Sequence, residues 1–502
     1  MSSTPPSSSA AHSPSGPPAA PEGRAGRLIA VLVGAAFVVI LNETIMSVAL
    51  PKLMIEFDVG AATAQWLTTA FMLTMAVVIP ITGYLLTRLS LRTVFAIAMG
   101  SFLTGTLVAA IAPIFPVLVL GRVVQAVGTA VMLPLLFTTV LNLVPAERRG
   151  RTMGVISIVI AVAPAVGPTI GGVVLDQLSW RWMFWLVLPI AVGATALGLS
   201  WIRNVTDPVR IPLDTLSVVL SALGFSGLVF GLSSLGEAAE GDPLMPPWVP
   251  LVVGIASLTV FVLRQLRLGD AALLDLRAFR TPAFSLAVAL VSVSMMSLFG
   301  TLILLPIYLQ SVLGQSTLAT GLMLLPGGLA MGLLGYIVGR LFDRFGPRPL
   351  VAPGALVAAI AMWGMTTFDA TTSTGTVIAW HVLLNIGLAL MFSPLLTSAL
   401  GALPRRLYSH GSAIVSTMQQ VAGAAGTALF ITVLTRTTVA GADSAADPVG
   451  ALEEGVHGAF TWGAVIAVIA FLGALFVRRA PEPESEPVET VLSETAESAP
   501  VK

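Results

Sequence analysis

Cysteine is absent from this 502-residue chain, which excludes disulfide bridges and thiolate metal ligands. Charge is scarce as well, because only 10% of the residues are charged and the formal net charge is zero. A neutral chain gives no reason to expect a nucleic-acid partner. HExxH, GxSxG and Walker patterns are missing, so the sequence predicts no enzyme, and we expect neither a cofactor nor a bound metal.

Apolar residues dominate instead, at 56% of the chain, and they come in long runs. A helix needs about 20 apolar residues to cross a hydrocarbon core of about 30 Å. The runs therefore predict an all-α membrane protein. The expected spans are 28–50, 65–86, 93–113, 116–140, 152–175, 182–202, 214–235, 248–266, 284–309, 318–339, 349–368, 376–400, 411–435 and 457–477.

Positive charge in the loops predicts the orientation, because cytoplasmic loops are rich in Lys and Arg. With the N-terminus in the cytoplasm, only Lys52, Arg181 and Arg436 of the 25 basic residues fall in outside loops, and Arg122 falls within a span. Losing one span would reverse every later loop and remove this asymmetry. We therefore expect fourteen spans with both termini cytoplasmic, or twelve if 214–235 and 248–266 do not cross.

Both ends of the chain are low in apolar residues. Residues 1–26 are rich in Ser, Pro and Ala, and residues 479–502 are rich in Pro and Glu. Such compositions are typical of disordered segments, so we expect two disordered cytoplasmic tails. No positive region is followed directly by an apolar stretch at the start, so no cleaved signal peptide is expected.

Two loops, eight spans apart, carry related patterns. The loop after the tenth span reads GRLFDRFGPR and the loop after the second reads GYLLTRLSLR. Glycines let helices approach, and an acid between arginines can hold helix-end contacts, so these loops predict a conformational latch. The second-span loop has Thr87 and Ser90 where the other has Asp343 and Gly346. The latch residues are Gly83, Arg88, Arg92, Gly339, Asp343, Arg344, Gly346 and Arg348.

Further motifs lie inside the spans. The fourth span reads RVVQAVG over 122–128, the fifth reads APAVGPTIGG over 163–172, and the first ends LNETIMSVALP over 41–51. Residues 411–426 read GSAIVSTMQQVAGAAG. In order, these motifs resemble the fourteen-span drug:proton antiporter branch of the major facilitator superfamily. The fifth-span string is similar to that branch's antiporter helix motif, carried here by Pro164, Gly167, Pro168, Gly171 and Gly172.

The resemblance implies a major facilitator fold with two six-helix bundles and two extra helices. The expected division is an N-terminal bundle over 27–203, a linker over 204–280 with two transmembrane helices and a cytoplasmic loop, and a C-terminal bundle over 281–478. It also implies a multi-pass protein of the bacterial plasma membrane, with a small lipophilic substrate, protons and the lipid bilayer as partners. We expect a monomer.

Glu43 is the acidic residue placed well inside a span. On a rise of 1.5 Å per residue it lies about 6 Å outward of the span midpoint, and Arg122 lies about 8 Å outward of its own. The two can therefore meet at one cavity, and we expect them to carry proton coupling. His381 is expected at the outer membrane interface. The expected cavity residues are Asn42, Ser47, Gln125, Asn385, Gln419 and Gln420.

The leading interpretation is a proton-coupled antiporter that exports lipophilic drugs or toxic metabolites. An exporter dedicated to one natural product fits the same motifs, and substrate competition would separate the two. Proton-coupled uptake is disfavoured by the antiporter-like fifth span. A single carboxylate favours monovalent or neutral lipophiles over dications.

Overall fold

The computed structural model describes residues 22–202, 212–240, 245–442 and 448–478. Within these ranges the regular structure is helical, with no β-strand. Fourteen long helices, α1 to α14, run over Glu22–Phe57, Ala61–Arg88, Leu91–Ala110, Phe115–Leu143, Arg149–Gln177, Trp182–Trp201, Thr215–Glu240, Trp248–Leu268, Pro282–Ile307, Thr317–Phe345, Arg348–Met365, Thr374–Gly401, Tyr408–Ala442 and Pro448–Ala474. All fourteen are long and apolar enough to cross a membrane, so the predicted count of fourteen is confirmed.

Short helical turns join several of these helices. They lie at Ala146–Arg148, Gly269–Ala271, Leu276–Arg280 and Arg405–Leu407, and Tyr308–Val312 continues α9 as a π-helical turn. α1 begins at Glu22, so the last residues of the predicted tail 1–26 are helical. The rest of that tail and the predicted tail 479–502 lie outside the described residues.

Serine side chains cap the N-terminal ends of three of the helices. Ser90, Ser316 and Ser373 each accept a hydrogen bond from the backbone N–H three residues later, at the starts of α3, α10 and α12. Each bond satisfies one of the N–H groups that a helix start leaves without a partner. Gly346, at φ 77°, ends α10 in a conformation that a residue with a Cβ rarely adopts. These local signals fix where the neighbouring helices begin and end.

The helices pack as two groups of six. In the first, α1 contacts α4, α5 and α6, while α3 contacts α4 and α6. In the second, α9 contacts α12, α13 and α14, while α11 contacts α12 and α14. The pairs α5–α10 and α2–α13 join the groups. This is the expected arrangement of two six-helix bundles, and α7 and α8 are the two extra helices.

The extra helices form a hairpin against both bundles. Gly227 and Gly254 bring α7 and α8 together, since a Cβ at Gly227 would lie 2.9 Å from the Gly254 Cα. α7 packs against α2 and α13, and the Phe230 ring stacks on the Trp66 ring with centroids 6.3 Å apart. The hairpin therefore contacts both bundles without entering the space between α5 and α10.

One end of the helix bundle holds most of the loop arginines. At this end α2, α4 and α10 finish and α3, α5 and α11 begin. We call it the basic end. It carries Arg88, Arg92, Arg148, Arg149, Arg151, Arg340, Arg344 and Arg348.

Candidate functional site

A cavity of about 150 Å³ lies between the two bundles. α1, α2, α4 and α5 form one wall, and α9, α10, α12 and α13 form the other. Apolar side chains make up most of both walls. Such a lining favours lipophilic molecules, and the few polar groups in it fix their orientation. The polar and titratable residues of the lining are Glu43, Thr44, Thr301, His381, Asn385, Gln419 and Gln420.

Glu43 is the acidic residue of this cavity lining. Its side chain makes no hydrogen bond or ion pair with the residues that the structure describes. The next residue, Thr44, donates its hydroxyl to the Leu41 carbonyl at 3.0 Å and lies 3.5 Å from the Ala163 carbonyl of α5. α1 is thereby joined to α5 at the turn that presents the carboxyl group to the cavity.

Arg122 lies behind this wall and is only 1% exposed. Its Nη1 donates to Asn42 Oδ1 at 3.2 Å and to Gln125 Oε1 at 2.7 Å. Gln125 Nε2 in turn donates to the Thr106 hydroxyl at 2.8 Å. The guanidinium carbon is 4.0 Å from the centre of the Phe71 ring, a cation–π contact that supports a buried cation.

The Arg122 charge acts electrostatically on Glu43, although no ion pair within 4 Å joins them in the described residues. The structure thus brings the two groups to one place, with the arginine outside the cavity. Asn42 and Gln125, expected to line the cavity, hold Arg122 instead. The side chain of Ser47 lies outside the described residues.

On the opposite wall, Asn385 on α12 and Gln419 and Gln420 on α13 lie along the cavity as expected. His381 differs from the expectation of a position at the membrane interface. It is 8% exposed and lines the same cavity. α12 begins at Thr374, so His381 lies about 10 Å further along the helix axis, which is deep enough to reach the cavity.

A glycine on the neighbouring helix makes room for that histidine. A Cβ at Gly327 of α10 would lie 2.4 Å from His381 Cδ2 and 2.8 Å from Asn385 Nδ2. Asn385 Nδ2 donates to the His381 carbonyl at 2.8 Å and lies 3.3 Å from the His381 Nε2. Sequence reasoning missed this residue, because nothing local indicates that Gly327 faces His381.

The antiporter helix motif holds α5 against the part of α1 that carries Glu43. A Cβ at Gly167 would lie 2.2 Å from the Thr44 hydroxyl, and one at Gly171 would lie 3.2 Å from the Ile45 side chain. Pro164 lines the cavity itself. Gly172 has open space around it, and the Pro168 side chain lies outside the described residues.

The loop after α10 reaches across to the first bundle at the basic end. Asp343 accepts hydrogen bonds from the backbone N–H groups of Gly150 at 2.8 Å and Arg151 at 2.9 Å, at the start of α5. A Cβ at Gly339 would lie 2.2 Å from the Gly150 carbonyl oxygen, and one at Gly154 would lie 2.2 Å from the Gly335 carbonyl oxygen. α5 and α10 are therefore in backbone contact at this end.

Two arginines predicted for the latch, Arg344 and Arg348, lie next to this loop. The Arg344 guanidinium carbon is 5.1 Å from the centre of the Phe345 ring, and Arg348 begins α11. In the loop after α2, Arg88 donates to the Tyr84 hydroxyl at 2.7 Å, and Thr87 donates to the Gly83 carbonyl at 2.9 Å. Arg92 lies in the first turn of α3.

Gly83, near the end of α2, lies against α13 of the second bundle. A Cβ there would lie 3.3 Å from the Ala413 Cβ and 3.3 Å from His410 Nδ1, both on α13. His410 Nδ1 also accepts the Asp275 backbone N–H at 3.4 Å. The linker after α8 thus meets α13 next to the point where α2 contacts it.

Comparisons with known proteins identify the family to which this fold belongs. The family model described as Major Facilitator Superfamily matches residues 32–427. The lincomycin resistance protein LmrB of Listeria monocytogenes is 43% identical over 458 residues, which cover 90% of this chain and 97% of that protein. The protein of the same name from Bacillus subtilis is 39% identical over 455 residues, covering 89% and 95%.

A more distant relative, the multidrug resistance protein B homolog of Mycobacterium tuberculosis, is 30% identical over 419 residues, covering 82% of this chain and 76% of that protein.

Solved structures share the fold. The crystal structure of the human organic anion transporter MFSD10 superposes with a TM-score of 0.65 at 15% identity, covering 90% of this chain and 99% of that one. The proton:xylose symporter XylE gives a TM-score of 0.62 at 16% identity, covering 92% and 96%. At such identities the likeness concerns the fold alone. With the family model and the relatives, it establishes that this chain is a multi-pass membrane transporter of the major facilitator superfamily.

Proposed function

We propose that this transporter is a proton-coupled antiporter that exports lipophilic drugs or toxic metabolites across the bacterial plasma membrane by alternating access. The observation that carries the proposal is the single carboxyl group, Glu43, in an apolar cavity between the bundles. The names of the relatives, which refer to resistance to lincomycin and to multiple drugs, support export rather than uptake. The protein acts as a monomer.

The basic end faces the cytoplasm, because arginine-rich loops remain on that side during insertion. Both termini then lie in the cytoplasm. The bundles over 27–203 and 281–478 are the bodies that move, and α7 and α8, within 204–280, stay in contact with both. Backbone contact between α5 and α10 closes the cytoplasmic side in this conformation.

Glu43 carries the proton. An ionised carboxylate is costly in a low-dielectric bundle, so Glu43 needs a proton or a cationic partner. When the cavity opens outward, the carboxyl group binds a proton. When it opens to the cytoplasm, a substrate replaces the proton, and a potential of 100 mV contributes about 2.3 kcal/mol for each charge moved.

Arg122 lies behind the wall that carries Glu43. Its fixed positive charge, held by Asn42 and Gln125, offsets part of the cost of ionising Glu43 without occupying the cavity. Because the arginine does not pair directly with the carboxylate, the carboxylate stays open to a proton or a substrate cation. One carboxylate suits monovalent or neutral lipophiles.

The test is uptake of tetraphenylphosphonium, a lipophilic cation, into inverted vesicles with an imposed pH gradient, since export from the cytoplasmic face leads into the lumen of such vesicles. We expect Glu43→Gln to abolish pH-driven transport, because the amide cannot exchange a proton. The matched control is Glu56→Gln on the same helix. Glu56 lies outside the cavity and binds Arg181 and Trp180, so its variant should transport at about half the wild-type rate or better.

Proton exchange at the wild-type rate in the Glu43→Gln variant would reject the assignment. Absence of pH-driven transport in the wild type itself would reject proton coupling altogether. Size-exclusion profiles of both variants check that each is folded.

A further inference from the structure

The two walls of the cavity differ in their polar chemistry. The first wall presents the Glu43 carboxyl group, and the neighbouring Thr44 hydroxyl is already bonded to Leu41. The second wall has no charged side chain in the described lining, but it carries four neutral polar side chains: Thr301, Asn385, Gln419 and Gln420. A molecule that occupies the cavity touches both walls, so it meets a negative group on one side and neutral hydrogen-bonding groups on the other.

Two of the second-wall groups have no partner for their buried polar atoms in the described residues. Thr301 is 2% exposed and its Oγ1 makes no hydrogen bond; Gln419 is 8% exposed and its Nε2 makes none. A buried polar atom without a partner costs about 1–3 kcal/mol. A molecule bound in the cavity can supply the missing partner for both atoms.

The Thr301 hydroxyl differs from those of several other buried threonines in the spans. Thr129, Thr397 and Thr417, which are also buried in spans, donate their hydroxyls to the carbonyl four residues earlier. That bond is the ordinary way for a helical threonine to satisfy its hydroxyl. The Thr301 hydroxyl makes no such bond and belongs to the cavity lining instead.

His381 and Asn385 complete this wall. Asn385 is fixed by the bond from its Nδ2 to the His381 carbonyl, and its Oδ1 accepts no hydrogen bond from the described residues. Gly327 lets the imidazole lie directly against α10. The Asn385 amide is oriented by the backbone carbonyl one turn earlier in its own helix.

We propose that Thr301, Asn385 and Gln419 form a hydrogen-bonding subsite that selects substrates with a hydroxyl or amide group, while Glu43 holds a protonated amine at the other end. The inference rests on the proposed function and narrows its substrate class. The preferred substrates are lipophilic monoamines with a neutral polar group, and simple lipophilic cations bind less well. Discrimination arises because the wall atoms stay unpaired when the polar group is missing.

The experiment measures binding of two matched amines to the purified full-length protein by titration calorimetry. Propranolol carries a hydroxyl beside its amine, and its deoxy analogue lacks only that hydroxyl. We expect the wild type to bind propranolol about 2- to 10-fold more tightly than the analogue. Thr301→Val and Gln419→Leu should each lower this ratio and leave the affinity for the deoxy analogue unchanged.

Thr432→Val is the matched control. It removes another hydroxyl without a partner in the described residues, but from the groove between α7, α8 and α13. It should leave both affinities as in the wild type, and Thr301→Ser, which keeps the hydroxyl, should restore the ratio. Equal binding of the two amines by the wild type, including no binding of either, would overturn the subsite, as would equal losses for both amines in the variants.

This outcome is separable from the fate of the proposed function. Preference for propranolol without pH-driven transport of tetraphenylphosphonium would retain the subsite and reject proton coupling. pH-driven transport of tetraphenylphosphonium without a preference for propranolol would retain proton coupling and reject the subsite.

Discussion

The latch loops after α2 and α10 occupy related places in the two bundles and do different things. In the α10 loop, the Asp343 carboxylate accepts two backbone N–H groups of α5, in the other bundle. In the α2 loop, the Thr87 hydroxyl donates to the carbonyl of Gly83, in its own helix. Within the described residues, the Asp343 carboxylate therefore joins the bundles by hydrogen bonds, and the Thr87 hydroxyl does not.

The difference follows from the chemistry of one side chain. A carboxylate accepts hydrogen bonds without donating any, and the start of a helix offers unpaired N–H groups and a positive dipole end. A threonine hydroxyl in a helix has a carbonyl within reach four residues earlier, so it is satisfied locally. We therefore expect closure of the basic end to depend on the α10 loop, while Gly83 of the α2 loop packs against α13.

The largest effect is expected from crowding the backbone contact beside Asp343. In Gly339→Ala, the new Cβ would lie 2.2 Å from the Gly150 carbonyl oxygen. Overpacking of this kind costs about 1–3 kcal/mol, so the closed state should become rarer and efflux should fall about tenfold. Gly100→Ala is the control, because a Cβ there meets nothing within 4 Å. Efflux that is equal in the two variants would contradict the role of this contact.

An intermediate effect is expected from Asp343→Ala, which removes both hydrogen bonds to α5. Loss of a helix cap costs about 0.5–2 kcal/mol, which makes an open basic end about 2- to 30-fold more frequent. The chain has no cysteine, so a single Gln420→Cys in the cavity can report on opening of the basic end. An impermeant maleimide added to inverted vesicles should label that cysteine faster in the Asp343→Ala background.

Thr87→Ala tests the comparison directly. Its hydroxyl bond lies within one helix, so the labelling rate should change less than about twofold. If Thr87→Ala and Asp343→Ala increased labelling equally, the two loops would be equivalent and would not differ in how they join the bundles.

The smallest effect is expected from Asp214→Asn, which weakens a contact inside the α7–α8 hairpin. Arg264 Nε and Nη2 donate to the two Asp214 carboxylate oxygens at 2.6 Å and 2.9 Å. The pair is partly exposed, so efflux should change less than about twofold and the thermal unfolding midpoint should fall only slightly. A loss of efflux comparable to that of Gly339→Ala would instead make the hairpin part of the gate.

The pH dependence of this contact provides a second measurement. The hydrogen bond from Arg264 is the main reason that the pKa of Asp214 is lowered to about 2. Because the pKa of Asp214 is lower in the folded protein, its ionised carboxylate stabilises the fold at pH values above the ordinary carboxyl pKa. This stabilisation is lost as pH falls. The difference in midpoint between wild type and Asp214→Asn should thus stay constant from about pH 8 to about pH 5, shrink below about pH 4 and disappear below about pH 2.

Much of the fold could be predicted from the residues. Apolar runs and loop arginines predicted fourteen helices, including α7 and α8, because a bilayer requires that length of apolar chain. The position of Glu43 along α1 also followed from helix rise. The partners of Arg122 did not, because Asn42 and Gln125 are equally good candidates for a cavity wall until the faces of α1 and α4 are known.

His381 shows why the cavity was harder to predict than the helices. Its distance along α12 is a local property, but the direction of its ring depends on Gly327, which lies 54 positions earlier in a different helix. The sequence by itself determined the spans, the single acid and the motif glycines, because hydropathy and backbone sterics act over a few residues. Only the tertiary structure decided which polar side chains face the cavity, and that Asp343 rather than Thr87 joins the bundles, because such contacts require two distant helices to meet at one rotation and depth.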